Sequence, residues 1–488
     1  MLLIFFLISF NYAILKGTKD AVIVPSCGAD ALPFLKVYGT VPAAILFVII
    51  YSKLSNILSK PTLFYVTILP FILFFALFAT VLYPNPHFFH PVESALWLNE
   101  HLPIKLMAIA SIYERWTYAI FYILSELWGS VVLSLLFWGF ANDITGVKEA
   151  KRFYALFGLG ANLALIVAGE LVKTFARLGD HLPEKEAWGL SLNYLMGAVV
   201  IGGSLVIVVY WWMQRYVLRD EQIIAAAKAK MKPPKPKMPL AESFTYLARS
   251  PYMALIATIV ACWGMAINFI EVSWKGQVRV AFPSHTDYSW FMGTYSQMTG
   301  IVTCLMILFV SGNVIRRFGW TTAALLTPIV VGLSGIAFFG TLFFKEELSG
   351  FGLLFGTSPL IMVVVFGLIQ NVVSSSCKYS LFDPTKEMTY IPLDEEQKVK
   401  GKAAIDVVGA RLGKSGGSFV QQLLIATVGF GAMMPYVAVM VGVTIALWIL
   451  ATKALGRRFT QLESSPIVKE SGPEAPPLSI IENIKAAT

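Results

Sequence analysis

The chain has 488 residues, of which 57% are hydrophobic and 14% charged, and its formal charge is +9 at neutral pH. Soluble globular domains carry roughly 45–50% apolar and about 25% charged residues, so a mean hydropathy of +0.69 excludes a soluble enzyme. The positive excess is read as cytoplasmic loop charge on a polytopic membrane protein, and not as a surface for nucleic acid.

Apolar runs long enough to cross about 30 Å of hydrocarbon recur along the whole length. The first begins at Met1, where no basic leader and no A-x-A-like site supports a cleaved signal. Six spans are predicted at 1–24, 32–52, 62–83, 116–140, 153–173 and 191–213. Residues 214–250 follow, with Lys228, Lys230, Lys232, Lys235 and Lys237 among prolines, and form a basic linker. Six more spans are predicted at 252–272, 288–310, 320–343, 352–374, 402–427 and 430–452, before a polar tail. Lys and Arg concentrate on the linker and tail side, which places both termini in the cytoplasm. The expectation is an all-α membrane protein of about twelve helices in two six-helix halves, major-facilitator-like, with substrate near the midplane between them. The halves are 1–213 and 251–454, and 455–488 is a disordered cytoplasmic tail. A weak internal repeat agrees with this. Asn11-Tyr12 precedes Lys16 and Lys19 in the first span, and Asn268-Phe269 precedes Glu271 and Lys275 in the seventh.

Charges inside the spans carry the functional information, since each costs roughly 2.5–3.5 kcal/mol at bilayer depth on insertion scales. Lys16 and Lys19 share a helix face, with Asp20 beside them as a structural charge partner at the edge of the span; the lysines face a cavity or snorkel outward. Glu126 sits too deep to snorkel, as a paired or proton-carrying carboxylate or as a helix clamp. Asp406, Arg411 and Lys414 fall within nine residues, followed by Ser415-Gly416-Gly417-Ser418. Two cations beside exposed backbone suit an oxyanion, and the other reading is a charge network through Asp406. Gly413-Lys414-Ser415 is not a phosphate loop, because Gly409 precedes Gly413 too closely and no strand leads in. The five histidines fall in loops, the four cysteines imply no disulfide framework, and no metal or cofactor is expected. Lys16, Lys19, Arg411 and Lys414 outnumber Glu126, Glu271 and Asp406, so the cavity favours an anion, phosphates best. A membrane-embedded phosphotransferase would need clustered carboxylates at one interface, which this pattern lacks.

Five stretches carry a family likeness: FNYAILKGTKD (10–20), SELWGSVVLSLLFWGFAND (125–143), EAKRFYALFGLGAN (149–162), INFIEVSWK (267–275) and EEQKVKGKAAIDVVGARLGKSGG (395–417). With these the chain resembles the nucleotide transporters of obligate intracellular bacteria and plastids, the ATP/ADP translocases. The resemblance implies exchange of external ATP for internal ADP in a bacterial inner membrane. The alternative within the family is proton-coupled or broad-specificity import of nucleoside triphosphates or NAD. It implies transport roles for Lys19, Glu126, Glu271 and a late lysine, Lys414 or Lys402. Asn162 and Lys275, which close two of the matching stretches, join the candidate substrate-binding residues. Where relatives carry an arginine followed by an acidic or small residue, this chain has Lys16-Gly17.

Overall fold

The computed structural model describes residues 1–144, 147–217, 250–348, 350, 356–393, 405 and 410–463. Among them the regular structure is helical. Numbering the long helices alone, the N-terminal half holds α1 (Leu2–Cys27), α2 (Ala31–Ile57), α3 (Lys60–Leu82), α4 (Trp116–Ala141), α5 (Val147–Arg177) and α6 (Glu184–Val217). The C-terminal half holds α7 (Pro251–Ala281), α8 (His285–Leu305), α9 (Gly312–Phe343), α10 (Pro359–Met388), α11 (Ala410–Val428) and α12 (Met434–Glu463). Of the residues assigned to the linker, 214–217 extend α6, while 218–249 lie outside the described residues, as does the tail beyond 463.

Ten helical runs among the described residues are long and apolar enough to cross a membrane, against about twelve predicted from sequence. Two places account for the difference. Residues 285–343 count as a single run of 59 residues, about 88 Å at 1.5 Å each, far more than one bilayer. That run is broken inside α9 at Gly319, whose φ of +75° is a conformation glycine adopts without steric cost. The other place is α11, which Lys414, three glycines and two glutamines make too polar to qualify.

Local chemistry starts several helices in the same way. Ser250 and Ser358 accept from the backbone N–H groups of Met253 and Ile361, and each is followed by proline at the first helical position. A serine cap removes an orphan donor and proline presets φ, so α7 and α10 begin where these pairs stand. Indole rings then lock helix pairs together. Trp128 donates to the Ile8 carbonyl at 3.2 Å, tying α4 to α1, and Trp274 donates to the Val364 carbonyl at 3.0 Å, tying α7 to α10.

The halves meet most closely along α5 and α8. A Cβ at Gly169 would stand 2.6 Å from the Gln297 nitrogen and 2.7 Å from the Gly293 carbonyl oxygen. Small residues here let two backbones touch, which is how helices associate where no water drives them together. The halves also join where α1 ends. Ser26 Oγ and His285 Nε2 are 2.9 Å apart, Arg177 pairs with Asp287 at 3.0 Å, and Arg279 donates to the Pro25 carbonyl at 3.4 Å. Lys105 donates to the Thr427 carbonyl at the same end.

The α5–α8 seam generates a test. Gly293→Val places side-chain volume against the Gly169 carbonyl, and overpacking of this kind costs about 1–3 kcal/mol. The variant is expected to reach the membrane with a thermal midpoint in detergent several degrees below that of the parent. An unchanged midpoint would show that the seam yields freely.

Candidate functional site

The site is built around the second half of α1. Asp20, predicted at the edge of its span, lies instead well inside the bundle. The helix continues for seven residues beyond it to Cys27, about 10 Å of further rise. Its side chain is 2% exposed, and its two oxygens are divided between two lysines. Lys19 Nζ lies 3.0 Å from Oδ1 and Lys275 Nζ lies 2.8 Å from Oδ2. Lys19 also reaches Glu126 Oε1 of α4 at 2.9 Å, and Lys275 reaches Glu271 Oε1 one turn back on α7 at 2.7 Å.

Five charges thus alternate in one chain: Glu126, Lys19, Asp20, Lys275, Glu271. Its centre is dry, with Lys19 and Lys275 at 4% and 3% exposure, while its ends open outward, Glu126 at 30% and Glu271 at 19%. The link between Asp20 and Lys275 crosses from one half of the chain to the other. Breaking such a pair by removing one partner strands a buried charge, so the arrangement stands or falls together. Lys19 further lies over the Tyr122 ring, 4.3 Å from its centroid, a face that attracts cations.

Around this chain stand cations with no carboxylate within 4 Å among the described residues. Lys16 turns across the interface toward the Tyr295 ring of α8, 5.5 Å from its centroid, so it faces the other half and does not extend outward to the surface. Tyr12 packs over Gly129, just past Glu126 on α4. Lys414 on α11 is exposed and acts electrostatically on Glu126. Lys36, at the start of α2 in a π-helical turn (Leu35–Thr40), donates to Asn268 Oδ1 of α7 at 2.6 Å.

The candidate residues therefore divide. Lys16, Lys19, Asp20, Glu126, Glu271, Lys275 and Lys414 converge between the halves. Asn162 does not join them: its amide donates to the Gly158 carbonyl of its own helix at 2.8 Å, and its backbone oxygen lies against Gly300 of α8. Asp406, Lys402 and the side chain of Arg411 lie outside the described residues. Lys36, Tyr122 and Tyr295 escaped the sequence reading. The signal for Lys36 was available, a lone lysine inside an apolar run; the tyrosines carry no such mark.

Chemically the arrangement suits the binding of an anion. Among the described residues five lysines face three carboxylates, a net charge of two positive. Among the described residues no group of three His, Cys, Asp or Glu is placed to hold a metal ion. Ammonium groups at the mouth of a low-dielectric site attract and order an anion, and lysine meets phosphate oxygens as a point charge.

Comparison with known proteins agrees in kind. The family described as "TLC ATP/ADP transporter" matches residues 1–459. The chain is 51% identical to ADP,ATP carrier protein 1 of Chlamydia trachomatis, over 94% of this chain and 88% of that protein. It is 45% identical to the chloroplastic ADP,ATP carrier protein 1 of Arabidopsis thaliana, over 95% and 74%. Against ADP,ATP carrier protein 1 of Rickettsia bellii it is 39% identical, over 95% and 93%. Among solved structures, a bacterial homologue of ferroportin in an inward-facing state superposes with a TM-score of 0.57 at 13% identity, covering 95% of this chain and 98% of the other. The xylose transporter XylE of E. coli, partially occluded and inward open, gives 0.53 at 11% identity over 93% and 97%. These likenesses show a major-facilitator-like fold.

The five-charge chain makes a stability prediction. Asp20→Asn leaves Lys19 and Lys275 with one carboxylate each, and removal of one partner from a buried set costs about 3–5 kcal/mol. The expected result is a marked drop in thermal midpoint, partly recovered when Lys275→Gln is added. A double variant no more stable than Asp20→Asn would show that the two residues are not coupled.

Proposed function

This chain belongs to the TLC ATP/ADP transporter family, and from that premise we propose how its site carries out ATP/ADP exchange. It is a secondary transporter and not an enzyme. With Chlamydia and Rickettsia among its relatives, we place it in the inner membrane of an intracellular bacterium as a multi-pass protein. ATP and ADP enter between the halves with their phosphates toward the lysines. The nucleotide meets Lys16 and Lys414 first, because among the described residues neither has a carboxylate within 4 Å. Its oxygens then compete with Glu126 and Glu271 for Lys19 and Lys275, and the two glutamates, being the more exposed ends of the chain, are the partners that yield.

The observation that carries the exchange reading is the Asp20–Lys275 contact of 2.8 Å across the halves. Alternating access requires the closed end to open, and that parts Asp20 from Lys275. In the empty carrier, parting them strands buried charges at about 3–5 kcal/mol, which slows reorientation on the order of 10²–10⁴-fold. A bound polyphosphate supplies the missing anion, so the loaded carrier crosses and the empty one stalls. Mutual repulsion among the cations is not what holds the empty carrier, since Asp20 neutralises the pair at the centre.

Labelled ATP uptake into proteoliposomes preloaded with ADP, with AMP or with nothing tests this. Uptake should be at least 100-fold faster into ADP-loaded vesicles than into empty ones, and Lys414→Gln should raise KM for ATP at least ten-fold. Comparable uptake into empty vesicles, accelerated by an inward proton gradient, would replace exchange with proton-linked import, with Glu126 the candidate proton carrier.

A further inference from the structure

We propose that Lys36 is a phosphate-binding residue of the transport site, the one that reads the terminal phosphates of the nucleotide. The proposal rests on the reading of this chain as a nucleotide transporter and adds a residue that no part of the sequence pattern singled out.

The argument begins with where each ammonium spends its charge. Lys19 and Lys275 are each held by two carboxylates at 2.7–3.0 Å. Lys36 has no carboxylate within 4 Å among the described residues. Its hydrogen-bond partner is a neutral amide oxygen, Asn268 Oδ1 at 2.6 Å. An ammonium has three donors, and this contact uses one. Lys36 lies five residues past the start of α2, about 8 Å into the helix, where an ionised side chain is expensive and is kept for a purpose or a partner. It is half-buried, which leaves room for an arriving ligand.

Asn268 is arranged to present its oxygen to that lysine. Its Nδ2 donates to Ser418 Oγ and Gln421 Oε1 of α11, both at 3.1 Å. With both amide protons directed at α11, the carbonyl oxygen is left for Lys36. The close approach of α7 and α11 that permits this depends on Gly417, where an added Cβ would stand 3.2 Å from the Asn268 amide nitrogen. Ser418 in turn donates to the Lys414 backbone carbonyl at 3.0 Å. Lys36 of α2 is therefore joined through Asn268 to the turn of α11 that carries Lys414. The two lysines belong to opposite halves and are fixed by one hydrogen-bonded path. Lys36 also lies within electrostatic reach of Glu126, Glu271, Lys19 and Lys275, at the edge of the charge chain and outside its pairing.

A neutral partner orients the ammonium without neutralising it. Such a group offers full charge to an incoming oxyanion, and replacing an amide oxygen by a phosphate oxygen leaves no carboxylate stranded. Nucleotides differing in phosphate number then differ in how far they reach toward Lys36. A monophosphate reaches less far than a di- or triphosphate.

The test uses the full chain purified in detergent, with inorganic pyrophosphate and AMP as separate competitors of labelled ATP, and with the variants Lys36→Gln and Lys36→Arg. Lys36→Gln is expected to weaken pyrophosphate at least ten-fold and AMP by less than three-fold. Lys36→Arg, which keeps the charge, should stay within about three-fold of the parent for pyrophosphate. If Lys36→Gln does not fold, Asn268→Asp is the substitute, because it sets a carboxylate of the same shape against Lys36 and should weaken pyrophosphate to a similar degree. Unchanged pyrophosphate competition in Lys36→Gln, or in Asn268→Asp where it stands in, overturns the proposal, as does an equal loss for pyrophosphate and AMP, which would mark a structural role. Pyrophosphate binding that depends on Lys36 in a protein showing no ATP/ADP exchange would sink the exchange reading and leave this one standing.

Discussion

A single carboxylate, Asp20, is shared between Lys19 of its own helix and Lys275 of the other half, and the rest of the site is arranged around that sharing. Neither lysine tolerates such burial without a counter-charge, because the desolvation of an ammonium outweighs any packing it gains. Glu126 and Glu271 complete the neutralisation from outside and leave the centre dry. The seventh helix thereby stands to the second half as the first helix stands to the first half, each bringing one lysine to a common anion.

That constraint explains why other features must be as close as they are. Asp20 and Lys275 meet at 2.8 Å only if α1 and α7 approach at their far ends, and the contacts of Ser26 with His285 and of Arg279 with Pro25 secure that approach. The glycine contact of α5 with α8 sets the spacing of the halves alongside. Among the described residues, the cations outside the chain, Lys16, Lys36 and Lys414, have no carboxylate within 4 Å. A site that satisfies its buried centre and leaves its rim positive is selective for an anion large enough to touch several lysines at once. Polyphosphates meet that description better than a single small ion.

Much of this was legible in the residues. The helical membrane fold follows from apolar runs of bilayer length, and Lys16, Lys19 and Glu126 stood out because charge in such a run is costly. Glu271 and Lys275 came into view through the weak repeat of the first span in the seventh, and again through the matching stretch 267–275. Asp20 was read as a charge partner but placed too near the span's edge, because apolar periodicity does not say where a helix stops being buried, and α1 goes on to Cys27 through Pro25. Asn162 drew attention by its place in a matching stretch, yet its amide is satisfied one turn back on its own helix. Lys36 went unremarked in the sequence, since its value depends on an asparagine 232 positions away.

By itself the sequence determined that this chain lives in a membrane, that its spans are helices, and that its buried charge sums to a positive site, because each of these depends on local composition and on the cost of placing charge in hydrocarbon. Tertiary structure alone decided which lysines are spent and which are free. Pairing depends on distances of about 3 Å between helices that are remote in the chain, and a sequence specifies those distances only through the packing of every helix at once. Lys19 and Lys36 look alike along the chain, and in the folded protein one is neutralised by two carboxylates while the other faces an amide.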